Sequence, residues 1–425
     1  MSQKIHREIH FASSLLIAAA IPLFPRVLPL SVLLMGLNWL VSGIYLTTFP
    51  RLLREGWRIR ILGFAGLYLL YLLGMAWSEN QDYGWFDLEI KLSLLIFPLI
   101  FATSDPGVFH ARRVKILLFT FLGACVAGSL LFLGRAWTIS RQGTVDAFYY
   151  SQLSWYFHAS YLSMYYTFGT GLALAYLARG FNRLPRLQLA GLAMLALFLE
   201  AMIFLLSSKA GLLTLFLTEI LFLVILLVNK VKIWKVLAAA CVLAGVGMVY
   251  SQAFPFAFNR ISRARQVITS AEARTSGPED GTAVRMDIWR ISAGLIRQHP
   301  WIGTGTGDVK DVLMESYRQN NQAPLSRKQL NAHNQYLQTF LALGLPGILV
   351  LLATLGIPAY GSFRRRHYLL FLLMLVVAVN LTAESMFETQ AGVLFYAFFN
   401  ALLFSMYAQD PPGDPLPVGF SQGRS

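Results

Sequence analysis

Charge is scarce in this chain. Asp, Glu, Lys and Arg make up 13% of its 425 residues while 56% are hydrophobic, against the roughly 25% charged expected of a soluble domain. An ordinary soluble enzyme is excluded, because apolar runs recur from residue 11 to residue 408 with no polar half. Cysteine is nearly absent. The two that exist, Cys125 and Cys241, both sit inside apolar runs, so neither a disulfide framework nor a cysteine metal site is available and redox chemistry has little to work with. No repeat of 20–50 residues is present, and the two halves lack the similarity that inverted-repeat transporters carry. What the chain does have is a formal charge of +14. In a soluble protein that excess would suggest nucleic acid; here Lys and Arg first serve topology and anionic lipid, and no nucleic-acid partner is expected.

The apolar runs divide at charged or Pro/Gly-rich breaks into about twelve candidate spans. They lie near residues 11–24, 27–48, 59–77, 88–103, 114–134, 159–178, 187–207, 210–228, 234–252, 334–357, 367–384 and 390–408. The expected fold is therefore an all-α integral membrane protein. Basic residues cluster after the even-numbered spans: Arg51 and Arg54; Arg112 and Arg113; Arg179, Arg183 and Arg186; Lys230, Lys232 and Lys235; and Arg364 to Arg366. The break at Glu79, Asp82 and Asp87 is acidic. Under the positive-inside rule both termini face the cytoplasm and the long loop 253–333 faces outside. The first apolar segment has no small-residue cleavage site and reads as a retained span. Four regions result: spans one to nine (1–252), an outer loop with short helices (253–333), spans ten to twelve (334–408) and a disordered cytoplasmic tail (409–425).

Polar chemistry concentrates in the outer loop. Thr282 as a helix cap and Pro300 as a stop predict a helix over 283–298, with Arg285, Trp289, Ala293 and Ile296 on one face, a face expected at the membrane surface. Arg260, Arg263, Arg265, Arg274, Arg285, Arg290 and Arg297 form an outside excess that opposes the positive-inside rule. For any one arginine a solvated or lipid-paired role is the commoner one. For the set, an anion site such as phosphate or pyrophosphate is the better account, since guanidinium is a permanently charged bidentate fork. Arg285 is the most specific, then Arg265, with Arg260 and Arg263 close behind. The Gly303, Gly305 and Gly307 turn follows no strand and reads as a tight turn rather than a dinucleotide loop. His333 stands where the tenth span begins, among Asn331, Asn334 and Gln335 that can fix its tautomer, and a neutral imidazole there can take a proton from an alcohol. His158 opens the sixth span from the same side, whereas His299 ends a helix and reads as structural. Lys209, in a short outer turn, is costly there unless it meets an anion. Glu384 and Glu388 flank another outer turn and can neutralise the arginines or orient a sugar hydroxyl. No metal-ligand spacing and no Asp-x-Asp pair is present.

The segments V-R-M-D-I-W-R-I-S-A-G-L-I-R-Q-H-P-W-I-G-T-G-T-G-D (284–308) and A-H-N-Q-Y-L-Q-T-F-L-A-L-G-L-P-G (332–347) resemble the O-antigen ligase and polymerase family of bacterial envelope proteins. The resemblance implies a GT-C-like, metal-independent membrane glycosyltransferase of the inner membrane with no cofactor. Its donor would be an undecaprenyl-pyrophosphate-linked glycan, transferred with inversion at the periplasmic face. A ligase passes the glycan to a lipid A-core sugar; a polymerase extends another lipid-linked glycan; relatives glycosylate protein Ser or Thr. By motif, His333 falls on the family's catalytic histidine and Arg285 on a loop arginine; Arg285, Arg265, Lys209 and Arg260 are expected to hold the pyrophosphate, with His333 as the base. His158, Asn334, Trp289 and Glu388 are placed in acceptor or supporting roles. Where the family usually has arginine in the Ser-Arg-Gly turn, this chain has Lys209 followed by Ala210, which keeps the charge and loses the fork. The expectation is ligase, with polymerase or protein glycosylation as alternatives. A transporter or flippase for an anionic lipid-linked glycan, using the same arginines only to bind, is the reading from a different class.

Overall fold

The computed structural model describes residues 2–52, 54, 56–180, 184–269 and 281–409, and every regular element among them is helical. Arg183, Arg274 and the expected tail from residue 410 lie outside the described residues. Eight helices are long and apolar enough to cross a membrane: Pro25–Ser42, Arg60–Trp77, Ala111–Ser140, Arg186–Leu206, Lys209–Val228, Ile233–Ala253, Gln335–Arg364 and Gln390–Ala408. In hydrocarbon only a helix satisfies its own backbone polar groups, which is why the apolar runs take this form.

The other four expected spans are also helical but fall short in length or apolarity. They correspond to Gln3–Leu23, Ser93–Thr103, Ala159–Gly180 and Tyr368–Leu381. Length and composition therefore give eight spans rather than twelve. The physical reason is shielding. The Ala159–Gly180 helix is buried along nearly its whole length, so protein rather than lipid surrounds Ser160, Ser163, Thr167 and Thr170 and the run need not be apolar throughout. Tyr368–Leu381 is buried likewise. Phe121, Phe168, Phe395 and Phe399, all 0% exposed, join the Ala111–Ser140, Ala159–Gly180 and Gln390–Gln409 helices through tilted and edge-on ring contacts, with centroids 5.0 Å apart for Phe121 and Phe399 and 5.2 Å for Phe168 and Phe399.

The long loop holds four helices among its described residues: Pro255–Thr269, Gly281–Gln298, Val309–Gln319 and Ala323–Arg327. It is fastened to the bundle by the glycine turn. Gly344 leaves helical geometry (φ 60°, ψ −151°) and breaks the Gln335–Arg364 helix. The freed carbonyls are taken up by the turn: Thr304 N–H donates to Leu341 O at 2.7 Å and Gly305 N–H to Ala342 O at 3.0 Å, while Leu345 N–H donates to Pro300 O at 2.9 Å. On its other side Thr306 Oγ1 donates to Tyr71 O at 2.6 Å. The Asp308 carboxylate accepts from the N–H groups of Glu79 and Asn80 at 2.9 and 2.8 Å. The turn is thus a clamp between two spans, in line with its expected structural role.

Gly303 has φ +71°, and a Cβ there would meet Leu341 O and the Ala342 carbonyl carbon at 2.5 Å. Gly303→Ala is expected to cost about 2–4 kcal/mol through left-handed strain and overpacking against rigid backbone. Gly294→Ala, on an exposed helical position with nothing within 4 Å, should be neutral or slightly stabilising. Thermal unfolding of the two variants in detergent checks this; equal midpoints would refute the clamp.

Candidate functional site

One buried carboxylate gathers most of the residues singled out in the sequence. Beyond the Tyr368–Leu381 helix the chain turns through Glu384, which is 5% exposed. Arg285 Nη2 donates to its Oε1 at 2.6 Å, Ser160 Oγ donates to the same oxygen at 3.0 Å, and His333 Nδ1 lies 3.2 Å from Oε2. His158 Nδ1 is 3.9 Å from Oε1. Burial pushes the Glu384 pKa up, but the His333 hydrogen bond and the charges of Arg285 and His158 outweigh it and hold the carboxyl below its ordinary range. Partial burial lowers the His158 pKa; Glu384 opposes this, and Arg285 and His333 add to the fall.

His333 is held in place from both sides. Its backbone is left-handed (φ 43°), a conformation sparsely populated by non-glycine residues, and its N–H donates to Asn331 Oδ1 at 3.0 Å. The next residue, Asn334, caps the Gln335 helix: its Oδ1 accepts from Leu337 N–H at 3.1 Å, and its own N–H donates to Ser385 Oγ at 3.2 Å. Trp289 Nε1 donates to Ala332 O at 3.1 Å. The Arg285 and Trp289 face of the Gly281–Gln298 helix therefore packs on the protein beside His333. That helix starts at Gly281, so Thr282 lies inside it; its hydroxyl accepts from Lys209 Nζ instead of capping. Thr282 and Arg285 are one helical turn apart, so Lys209 meets the same end of the helix that carries Arg285.

Lys209 is aimed by its own turn. Ser207 is left-handed (φ 48°), and Ser208 Oγ caps the following helix by accepting from Gly211 N–H at 3.3 Å. Arg260 stacks over the Tyr150 ring, 3.7 Å from its centroid, and its charge reaches His158. Arg265 is placed differently. In the Pro255–Thr269 helix, Ala257 and Val267 mark the buried face, whereas Arg265 is exposed on the side that carries Phe258, Ile261 and Ile268. The structure brings together His333, Arg285, Lys209, Arg260, His158, Asn334 and Trp289; it leaves Arg265 outside the cluster.

Glu388 also points elsewhere. It pairs with Lys91, 0% exposed, at 2.9 Å. Lys91 bonds Asp87 as well, and Gln335 Nε2 donates to Glu388 Oε1 at 3.3 Å. Burial and the charge of Glu388 push the Asp87 pKa well up, whereas at Glu388 burial is opposed by the Lys91 charge together with the hydrogen bonds from Asp87, Lys91 and Gln335, which hold it below its ordinary value. Glu388 braces the turn that carries Glu384 and does not line the cluster. Sequence reasoning missed Lys91 and Asp87, although a lysine inside an apolar run was the available signal; nothing distinguished Ser160 from other serines. Among the described residues no three His, Cys, Asp or Glu side chains are grouped to hold a metal ion.

With this geometry in place, comparison with known families gives one match: residues 192–352 match the family model described as O-antigen ligase. It bears out the family resemblance read from the motifs. The matched stretch contains Lys209, Arg260, Arg265, Arg285, Trp289, His333 and Asn334; Glu384, Ser160 and His158 lie outside it. No curated protein matches the chain.

The Lys91 and Glu388 pair yields a stability test. Lys91→Met strands a buried carboxylate and is expected to cost about 3–5 kcal/mol, because its desolvation is no longer offset. Combining it with Glu388→Leu removes the stranded group and should recover part of that loss. Melting in detergent reports both, and a double variant no better than the single one argues against the pairing as the source of stability.

Proposed function

We propose that the chain transfers a glycan from a lipid-linked diphosphate donor to a hydroxyl acceptor, as an O-antigen ligase of the bacterial inner membrane. The observation that carries this is the convergence of a histidine and an arginine, from opposite ends of one loop, on a single carboxylate with Lys209 and Arg260 on the same side. The donor is an undecaprenyl-pyrophosphate-linked glycan and the acceptor a lipid A-core sugar. The cluster faces the periplasm and both termini face the cytoplasm.

The chemistry asks for two things. Diphosphate is already a good leaving group, so the main electrostatic task is to hold its charge as it departs, which Arg285, Lys209 and Arg260 do. The second task is to take the proton of the acceptor hydroxyl, which His333 does. The acceptor oxygen bonds to the anomeric carbon from the face opposite the diphosphate, the carbon–oxygen bond to phosphate breaks, and the configuration inverts. The proton passes to His333 and undecaprenyl pyrophosphate leaves. Lys209 grips a phosphate as a point charge rather than a fork.

His333→Ala is expected to reduce transfer by about 10²–10⁴-fold while the protein still folds and retains donor, read from the loss of lipid-linked glycan in a purified detergent assay. Lys209→Arg should keep transfer and Lys209→Met should weaken it. Full activity in His333→Ala would falsify the base assignment. Bond formation in detergent, with no closed membrane, separates a transferase from a transporter. In the host, a ligase deletion accumulates long unattached polymer, whereas loss of a polymerase leaves single repeats attached to the core.

A further inference from the structure

Glu384 lies outside the stretch that matches the ligase family, yet it is the one side chain that Arg285, His333 and Ser160 all touch. Resting on the transferase reading above, we infer that Glu384 is a positioning residue with two tasks: it fixes which nitrogen of His333 acts as the base, and it occupies Arg285 until the donor's diphosphate arrives.

The first task follows from hydrogen-bond inventory. An ionised carboxylate only accepts, so at 3.2 Å from Glu384 Oε2 the Nδ1 of His333 must carry the proton and donate it. Nε2 then keeps its lone pair and is the nitrogen that takes the acceptor's proton. The same carboxylate faces the imidazolium formed in that step and offsets its charge as well as orienting the ring. The charged and titratable groups around this contact are Arg285, His158, Tyr161 and, through His158, Arg260. Tyr161 is a neutral phenol, the other three are cations or potential cations, and Glu384 alone among these groups is an anion.

The second task follows from charge. The Arg285 side chain is 24% exposed and has Glu384 Oε1 at 2.6 Å. A diphosphate arriving at Arg285 meets a guanidinium that already has an anionic partner and must compete with it. The carboxylate therefore weakens donor binding while strengthening catalysis, and its removal moves the two in opposite directions. A purely structural role predicts no such split.

The test uses the full-length protein in detergent, with inorganic pyrophosphate as the binding probe and lipid-linked glycan as the kinetic donor. Glu384→Gln is expected to bind pyrophosphate severalfold more tightly and to lower the donor KM. Its kcat should fall by about 10–100-fold, because His333 loses the anionic acceptor that fixes its tautomer. Glu384→Asp keeps the charge and should restore part of kcat. If Glu384→Gln matches the wild type in pyrophosphate affinity and kcat while His333→Ala is inactive, the inference fails and the transferase reading stands. If His333→Ala is itself fully active, that reading fails first. Should Glu384→Gln not fold, Glu384→Asp decides: a displaced carboxylate is expected to weaken transfer and alter pyrophosphate affinity, and unchanged values for both overturn the proposal.

Discussion

A carboxylate that is nine-tenths shielded from water cannot stay charged without partners, and at Glu384 the partners come from elements far apart in the chain. Arg285 sits near the start of the Gly281–Gln298 helix and His333 at the end of the loop, with the glycine turn between them. By holding both, one side chain on the 382–390 turn sets the loop against the bundle at the point where its polar residues converge. The demand is reciprocal: remove the carboxylate and a partly buried guanidinium loses its counter-charge; remove the arginine or the histidine and the carboxylate loses one of its two main supports.

The loop can answer that demand because it is not a loose flap. Three carbonyl and N–H pairs join residues 300–305 to the broken stretch of the Gln335 helix, and Asp308 fastens the turn to the 79–80 backbone. A helix broken inside an apolar bundle would leave unpaired carbonyls, and the turn supplies their donors. Glycine is required there for space as well as for φ, since both faces of the turn meet backbone. Anchored this way, the Gln335 helix presents Asn334 and His333 at its N-terminal end in a fixed register to Trp289.

Much of this was legible in the sequence, for reasons that can be named. Long apolar runs bounded by charge identified the eight helices long and apolar enough to span, but the rule loses its force where a helix is sheathed in protein, as Ala159–Gly180 is. Arg285, Trp289 and His333 stood out because they sit in the polar outer loop, the first two on one face of a short helix and the third among Asn331, Asn334 and Gln335. Glu384 and Glu388 could not be told apart. Four residues apart in an α-helix they would share a face, but Met386–Glu388 is a 3-10 turn, so one carboxylate meets Arg285 and the other Lys91. Arg260 and Arg265 look equivalent as composition, and only the packed face marked by Ala257 and Val267 separates them.

The proposed chemistry also gives a reason for the surplus of cations around a carboxylate that competes with the substrate. Arg285, Lys209 and Arg260 bring three positive charges and Glu384 one negative, a net of two with His333 neutral. A diphosphate esterified at both ends carries two negative charges, so the donor complex is balanced. When the bond to the glycan breaks, the departing diphosphate keeps one ester and can carry a third negative charge, and the proton taken from the acceptor makes His333 the third net positive. Charge created on the leaving group is thus met by charge created on the base within the same cluster, and neither must be hydrated by bulk water during the step. Without Glu384 the site would hold three cations with no anion among them, and the imidazolium formed in the step would meet only like charge. The carboxylate that competes with the donor is what balances that charge.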